Sequence, residues 1–116
     1  MATLTRGFDG RPKTAQNTSA SGAASSVTLA AESLGHHRLV AIHLTYNGGT
    51  PGTKAITITY TEQGVAMSVV IGVAAVVSVT SIVLLEGRII GDKGTAITVT
   101  GALLASNTNT LEVFYE

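Results

Sequence analysis

Several residue types are missing or scarce in this sequence, and each absence removes a class of protein. There is no cysteine, which excludes a disulfide framework and thiolate chemistry. Charged residues make up only 12% of the chain and sum to zero, so no basic footprint points to nucleic acid or to an anionic membrane surface. The first residues lack the apolar run of a secretory signal. We therefore expect synthesis in the cytosol without export.

Charge is also missing locally, because no charged side chain lies between Glu62 and Glu86. As a helix, residues 63–85 would be about 35 Å long at ~1.5 Å per residue, enough to span a bilayer. However, most of the apolar residues are β-branched valine and isoleucine, which favour strands. No Lys/Arg cluster marks a cytoplasmic flank. The sequence favours two core strands, with a membrane span over 63–85 as the less favoured alternative.

Turn signals recur every eight to twelve residues after Val27, which is typical of a β-sandwich or barrel. Ile56, Ile58 and Tyr60 alternate with threonines, which indicates a half-buried strand with Ile58 inward and Thr57 and Thr59 outward. Seven to eight such strands predict an all-β protein, an antiparallel β-sandwich of jelly-roll type. The nearest alternative is an immunoglobulin-like sandwich, but this sequence lacks the buried tryptophan and the paired cysteines of that fold.

The start of the chain differs in composition from the rest. Residues 14–26 are almost wholly small or polar, and such a segment buries too little apolar area to offset its ordering entropy. We expect residues 1–25 to be a disordered tail or an extended N-terminal arm, and Phe8, as a natural anchor, favours the arm. The β-sandwich domain is then predicted over residues 26–116.

Residues that could carry chemistry do not form a recognisable site. His36, His37 and His43 cannot share an ion within one continuous strand, so surface or interface positions are expected. The carboxylates are scattered, and Asp92 in GDKG is expected to serve the turn. No nucleophile elbow, phosphate loop or dinucleotide fingerprint is present. We therefore expect no enzyme, no metal, no cofactor and no small-molecule substrate.

The pattern as a whole resembles a family of virion proteins. A polar leader followed by HRLVAIHLTYN, a Gly-Thr-Pro-Gly turn and KAITITYTE resembles small structural proteins of tailed bacteriophages. The ending GDKGTAITVTGALLASNTNTLEVFYE resembles the same proteins. The resemblance implies a jelly-roll capsid decoration (cement) protein on the capsid surface, made in the host cytoplasm. It implies a homotrimer, bound to the major capsid protein without nucleic acid or membrane.

For such a protein, the expected capsid contacts are Arg6, Phe8, Arg11 and Lys13 of the arm, facing capsid carboxylates and an apolar pocket. Few charges and a positive mean hydropathy also suggest that other subunits cover part of the surface. An alternative function is a receptor- or carbohydrate-binding module of a tail or head fibre. That alternative usually displays exposed aromatic residues, and few are available here.

Overall fold

The structure is a computed structural model, which describes residues 13–33, 35–47, 52–75, 80–102 and 108–116. These residues form an all-β protein whose strands lie in two four-stranded antiparallel sheets, packed face to face as a β-sandwich. The predicted fold class is confirmed at that level. The described strands are β1 Lys13–Thr18, β2 Ser25–Leu29, β3 Arg38–Tyr46, β4 Gly52–Glu62, β5 Val65–Ala75, β6 Thr80–Ile90, β7 Ile97–Gly101 and β8 Asn109–Tyr115.

The strands pair from the two ends of the chain toward its middle. β1 pairs with β8, β2 with β7, β3 with β6 and β4 with β5, all antiparallel. Two further pairings, β3 with β8 and β4 with β7, complete the sheets. Sheet A has the order β1-β8-β3-β6 and sheet B the order β2-β7-β4-β5. β5 and β6 are therefore edge strands.

The core lies between the sheets and is built by alternation along the strands. Ile56 and Ile58 of β4 are fully buried, whereas Thr59 is exposed and Thr57 half-buried on the outer face, as predicted. Val79, also predicted to point inward, lies outside the described residues. The other fully buried apolar side chains come from both sheets and are Leu39, Ile42, Leu44, Ile97, Val99, Leu111 and Val113.

One strand departs from strict alternation. The sequence predicts Val40, Ile42, Leu44 and Tyr46 on the inner face of β3. The register shifts between Leu39 and Ala41 against both neighbouring strands, and Leu39 is fully buried while Val40 is only half-buried. A bulge of this kind places one extra residue in the strand, so Leu39 occupies the inward position expected for Val40.

The long uncharged segment forms two strands, as the sequence predicts. Their inner faces pack against the core through Val69, Ile71, Val73, Val83 and Leu85, but their outer faces are exposed. β5 and β6 each have one neighbour and carry exposed apolar side chains: Val65, Val70, Ile82 and Leu84. Strand formation follows from the β-branched composition. Because both faces of these strands are apolar, alternation could not show which face is exposed. No helix among the described residues is long and apolar enough to cross a membrane.

The start of the sandwich also differs from the prediction. Lys13–Thr18, expected to belong to the arm, forms β1 at the edge of sheet A, and Lys13 lies opposite Tyr115. All but one of its residues are exposed. Because nearly all of them are polar, the sequence shows no apolar alternation that would predict a strand. Pairing with β8 stabilises the extended backbone of β1. The rest of the predicted arm, residues 1–12, lies outside the described residues.

A buried polar network joins the β1–β2 connection to β8. Asn109 is fully buried, and its side chain accepts a hydrogen bond from the Ser25 hydroxyl. Its Nδ2 donates to Ser19 Oγ and to the Ala23 carbonyl, both at 3.1 Å. The Asn109 backbone N–H also donates to Ser19 Oγ, at 3.0 Å. Every polar atom of this amide is therefore paired, which a fully buried side chain requires.

Asp92 has the structural role that the sequence predicts for it. Its carboxylate accepts hydrogen bonds from the backbone N–H groups of Gln63 at 2.9 Å and Gly64 at 2.8 Å. Both residues have positive φ, 51° and 79°, as the tight β4–β5 hairpin requires. These two hydrogen bonds, Gly64 first, lower the pKa of Asp92 below its usual value.

Candidate interaction surface

The predicted capsid contacts lie at the start of the chain. Arg6, Phe8 and Arg11 are outside the described residues. Lys13 is exposed at the first position of β1, and its Nζ lies 6.0 Å from the centre of the Tyr115 ring. The chain therefore enters the sandwich at the β1 edge of sheet A. Any contact made by residues 1–12 begins from that edge.

The outer face of sheet A carries an apolar patch, which we call the sheet A patch: Ala41, Ile82, Leu84 and Phe114. Ala41 of β3, which is itself buried, lies between Leu84 of β6 and Phe114 of β8 in one cross-strand row. Leu84 is 72% exposed and Ile82 is 59% exposed. Exposed apolar side chains that adjoin one another mark interaction surfaces more often than isolated ones do.

Polar residues border the sheet A patch. Thr45 and Thr80 share a hydrogen bond of 2.7 Å between their hydroxyl groups, in the row beyond Ile82. Toward the opposite end of β6, Glu86 and Arg88 lie 3.8 Å apart and are largely exposed. An apolar centre with a polar border is the usual anatomy of a protein–protein interface.

His43 lies beside the patch, on the outer face as predicted. Its ring centre is 4.7 Å from that of Phe114, and its Nδ1 is 3.7 Å from Glu112 Oε1. About a third of each of these two polar side chains is exposed, 32% for His43 and 34% for Glu112. The pair can attract only when the imidazole is protonated, and its partial exposure keeps that attraction weak. The side chains of His43 and Glu112 can supply polar contacts to a partner.

His37 differs from the predicted surface histidine. It is 5% exposed, its Nε2 lies 2.7 Å from the Ala30 carbonyl oxygen, and its ring meets Tyr115 edge-on at 5.6 Å. The side chain therefore fastens the β2–β3 connection to β8. The sequence offered no sign of this, because Ala30 and Tyr115 are brought to His37 only by the fold.

The outer face of sheet B is lined with hydroxyl groups. Thr28, Thr98, Thr59 and Ser68 form one row across its strands, and Thr28 and Thr98 Oγ1 atoms are 3.3 Å apart. Part of this face is a shallow open depression of about 340 Å³, lined by Thr59, Tyr60, Thr61, Ala66, Met67, Ser68, Ala96 and Thr98. Hydroxyl groups on an open face of this kind can contact a polar ligand.

The described residues do not assemble a metal site. Among them, no group of three or more histidine, aspartate or glutamate side chains is placed to hold a metal ion. The described surface has an apolar patch on sheet A, a hydroxyl face on sheet B and free edges on both sheets.

No family model, curated protein or solved structure matches this chain. The fold and the described surface define the class of protein: a small antiparallel β-sandwich with exposed apolar side chains on an edge strand of each sheet.

Proposed function

We propose that this chain is a non-enzymatic virion structural protein, a capsid decoration or cement protein of a tailed bacteriophage. The strand order is the observation that carries the proposal. The first strand pairs with the eighth, the second with the seventh, the third with the sixth and the fourth with the fifth. This pairing supports a jelly roll, a fold used by viral capsid domains.

The position of the arm relative to the sheet A patch supports one attachment face. Lys13 and Thr14 lie opposite Tyr115 and Phe114, so the arm joins the sandwich beside the patch. In the proposed mode of binding, the patch covers apolar capsid surface. Arg6, Phe8, Arg11 and Lys13 reach a neighbouring subunit of the major capsid protein.

The proposed mechanism is multivalent clamping. Contacts that are weak singly become strong when copies of the chain, three in the proposed homotrimer, bind a symmetric shell together. Such a protein needs a rigid body, an adhesive surface and a tether, and it needs no catalytic group. Its proposed location is the outer surface of the capsid, after synthesis in the host cytoplasm.

The experiment is co-sedimentation with capsids of the phage that encodes the chain, prepared without it. The intact protein should pellet with capsids, whereas a protein lacking residues 1–12 should bind at least tenfold more weakly with an unchanged circular dichroism spectrum. Arg11→Glu should weaken binding less, with a salt dependence that reflects exposed charge pairs. Thr28→Glu, an exposed change on sheet B, is the matched control. Binding that is equally strong without residues 1–12 would contradict the role of the arm, and no binding by the intact chain would contradict the function.

The depression on sheet B supports a second candidate, a receptor- or glycan-binding module of a virion fibre. The depression is lined by the hydroxyl-bearing residues Thr59, Thr61 and Ser68, and hydroxyl groups are groups that sugars contact through hydrogen bonds. Glycan-array binding that Thr59→Ala weakens and that Ile82→Ala leaves unchanged would favour this candidate. An array without any bound glycan would contradict it.

A further inference from the structure

The two sheets have four free edges among the described residues, and three of them carry features that discourage pairing with another chain. β1 is a six-residue polar strand that begins with Lys13, and β2 has only five residues. β6 carries charged Glu86 and Arg88 and is distorted at Glu86–Gly87, where φ is 54° and 74°. Short length, charge and irregular backbone are the ways in which natural proteins protect sheet edges.

β5 has none of these protections. It has eleven residues, Val65–Ala75, without charge or proline, and it pairs with β4 along its whole length without a register shift. Its other side has no described partner. Every second residue of such a strand directs its N–H and C=O toward the free edge. A long, regular, apolar edge of this kind is a template for another strand.

We propose that two copies of this chain associate by pairing their β5 strands, antiparallel, about a two-fold axis at Val70. The axis runs perpendicular to sheet B, so the outer faces of both copies stay on the same side. Each residue of number n then lies opposite residue 140 − n of the other copy. This register uses the full strand, and the two sheets join as one eight-stranded sheet.

The occupant is a second copy because β5 is complementary to itself. Opposed residues must share a face of the sheet, and the proposed register places 70 opposite 70, 69 opposite 71 and 68 opposite 72. Val70, which is 66% exposed, thus meets its own counterpart. No opposed pair contains a charge, so no repulsion arises between copies.

The free edge is long enough for a continuous hydrogen-bond ladder. Eleven strand residues extend about 36 Å at ~3.3 Å per residue. Antiparallel pairing of two copies gives partners to the outward N–H and C=O groups of both β5 strands. The contact does not depend on the capsid role. The homotrimer is proposed for copies bound to the capsid, whereas the β5 contact joins two copies in solution.

Cross-linking tests the geometry directly, since the natural chain has no cysteine. Directly opposed residues of paired strands have Cβ atoms about 4.5–5.5 Å apart, close to the separation in a disulfide. Val70→Cys should form disulfide-linked dimers under mild oxidation. Thr28→Cys, exposed on β2 at the far edge of the same sheet, should not. Equal cross-linking of the two variants would overturn the proposal.

The mass in solution tests the energetics. Light scattering should find a dimer whose dissociation constant changes little with salt, because the contact contains no charge. Val70→Lys places two lysines directly opposite each other and should raise that constant at least tenfold, with an unchanged circular dichroism spectrum. Thr28→Lys should leave it unaltered.

A monomer or a trimer in solution would overturn the β5 contact. If that protein still binds capsids, the proposed function stands without the contact. A β5-linked dimer that does not bind capsids would uphold the contact and contradict the proposed function.

Discussion

Replacing Asn109 by alanine should be among the most damaging changes to a polar residue of this protein. The side chain is fully buried, and it bonds to Ser25, Ser19 and the Ala23 carbonyl. Alanine removes three hydrogen bonds of about 1 kcal/mol each in net terms. It also leaves the buried Ser25 hydroxyl without this partner. We expect a loss of about 3–4 kcal/mol in the free energy of unfolding.

The assay is equilibrium unfolding in urea, followed by circular dichroism. With a slope of about 2 kcal/mol per molar urea, the midpoint should fall by about 1.5–2 M. Asn47→Ala is the matched control, because Asn47 is exposed and its Nδ2 donates to Thr108 Oγ1 at 2.8 Å. That change should cost less than about 1 kcal/mol. If Asn47→Ala costs as much as Asn109→Ala, the network does not have the role described.

Three further predictions concern the core, the hairpin and the arm. Ile58→Ala should lower the free energy of unfolding by about 2–4 kcal/mol through lost burial and a cavity. Thr59→Ala should lower it by well under ~1 kcal/mol. If urea titrations show a larger loss for Thr59→Ala, β4 faces the other way. Because the folded pKa of Asp92 is lowered, its contribution to stability is present above its unfolded value of about 3.9 and is lost as pH falls through the folded pKa. Asp92→Asn should therefore be less stable near pH 7 and show a shallower loss on acidification, and an identical acid profile would refute the role of the carboxylate. Deleting residues 1–12 should leave the thermal midpoint within a few degrees of that of the intact chain. Deleting residues 1–20 removes β1 and Ser19 and should lower the midpoint by more than about 10 °C. Equal midpoints for the two deletions would show that β1 contributes nothing to stability.

The alternation and composition of single segments were sufficient to predict several features of the fold. The alternation of Ile56 and Ile58 with threonines predicted the faces of β4, because one face is buried and the other is polar. The β-branched composition of residues 63–85 predicted strands in place of a helix. These features depend on neighbours along the chain, so a sequence shows them directly.

Features that depend on distant residues could not be predicted. The mostly polar β1 shows no alternation of apolar and polar residues, and it forms a strand because its backbone pairs with β8. The bulge at Leu39–Ala41 is an insertion in the register against two other strands. Asn109 meets Ser25 only after the sheets have packed.

The candidate interaction surface was missed for a related reason. Ile82 and Leu84 were expected in the core, since their strand is apolar on both faces and hydropathy alone cannot distinguish an inner from an outer position. Their exposure follows from the place of β6 at the sheet edge, which is a property of strand order. Strand order depends on which distant strands pair, and local patterns in the sequence do not show that.

Cryo-electron microscopy of the virion that encodes this chain tests the proposed function most directly. We expect density for the two-sheet sandwich on the outer capsid surface, with the β1 edge of sheet A toward the shell and residues 1–12 extended over an adjacent major capsid subunit. A capsid surface without this density, or the sandwich found only at a fibre tip, would contradict it.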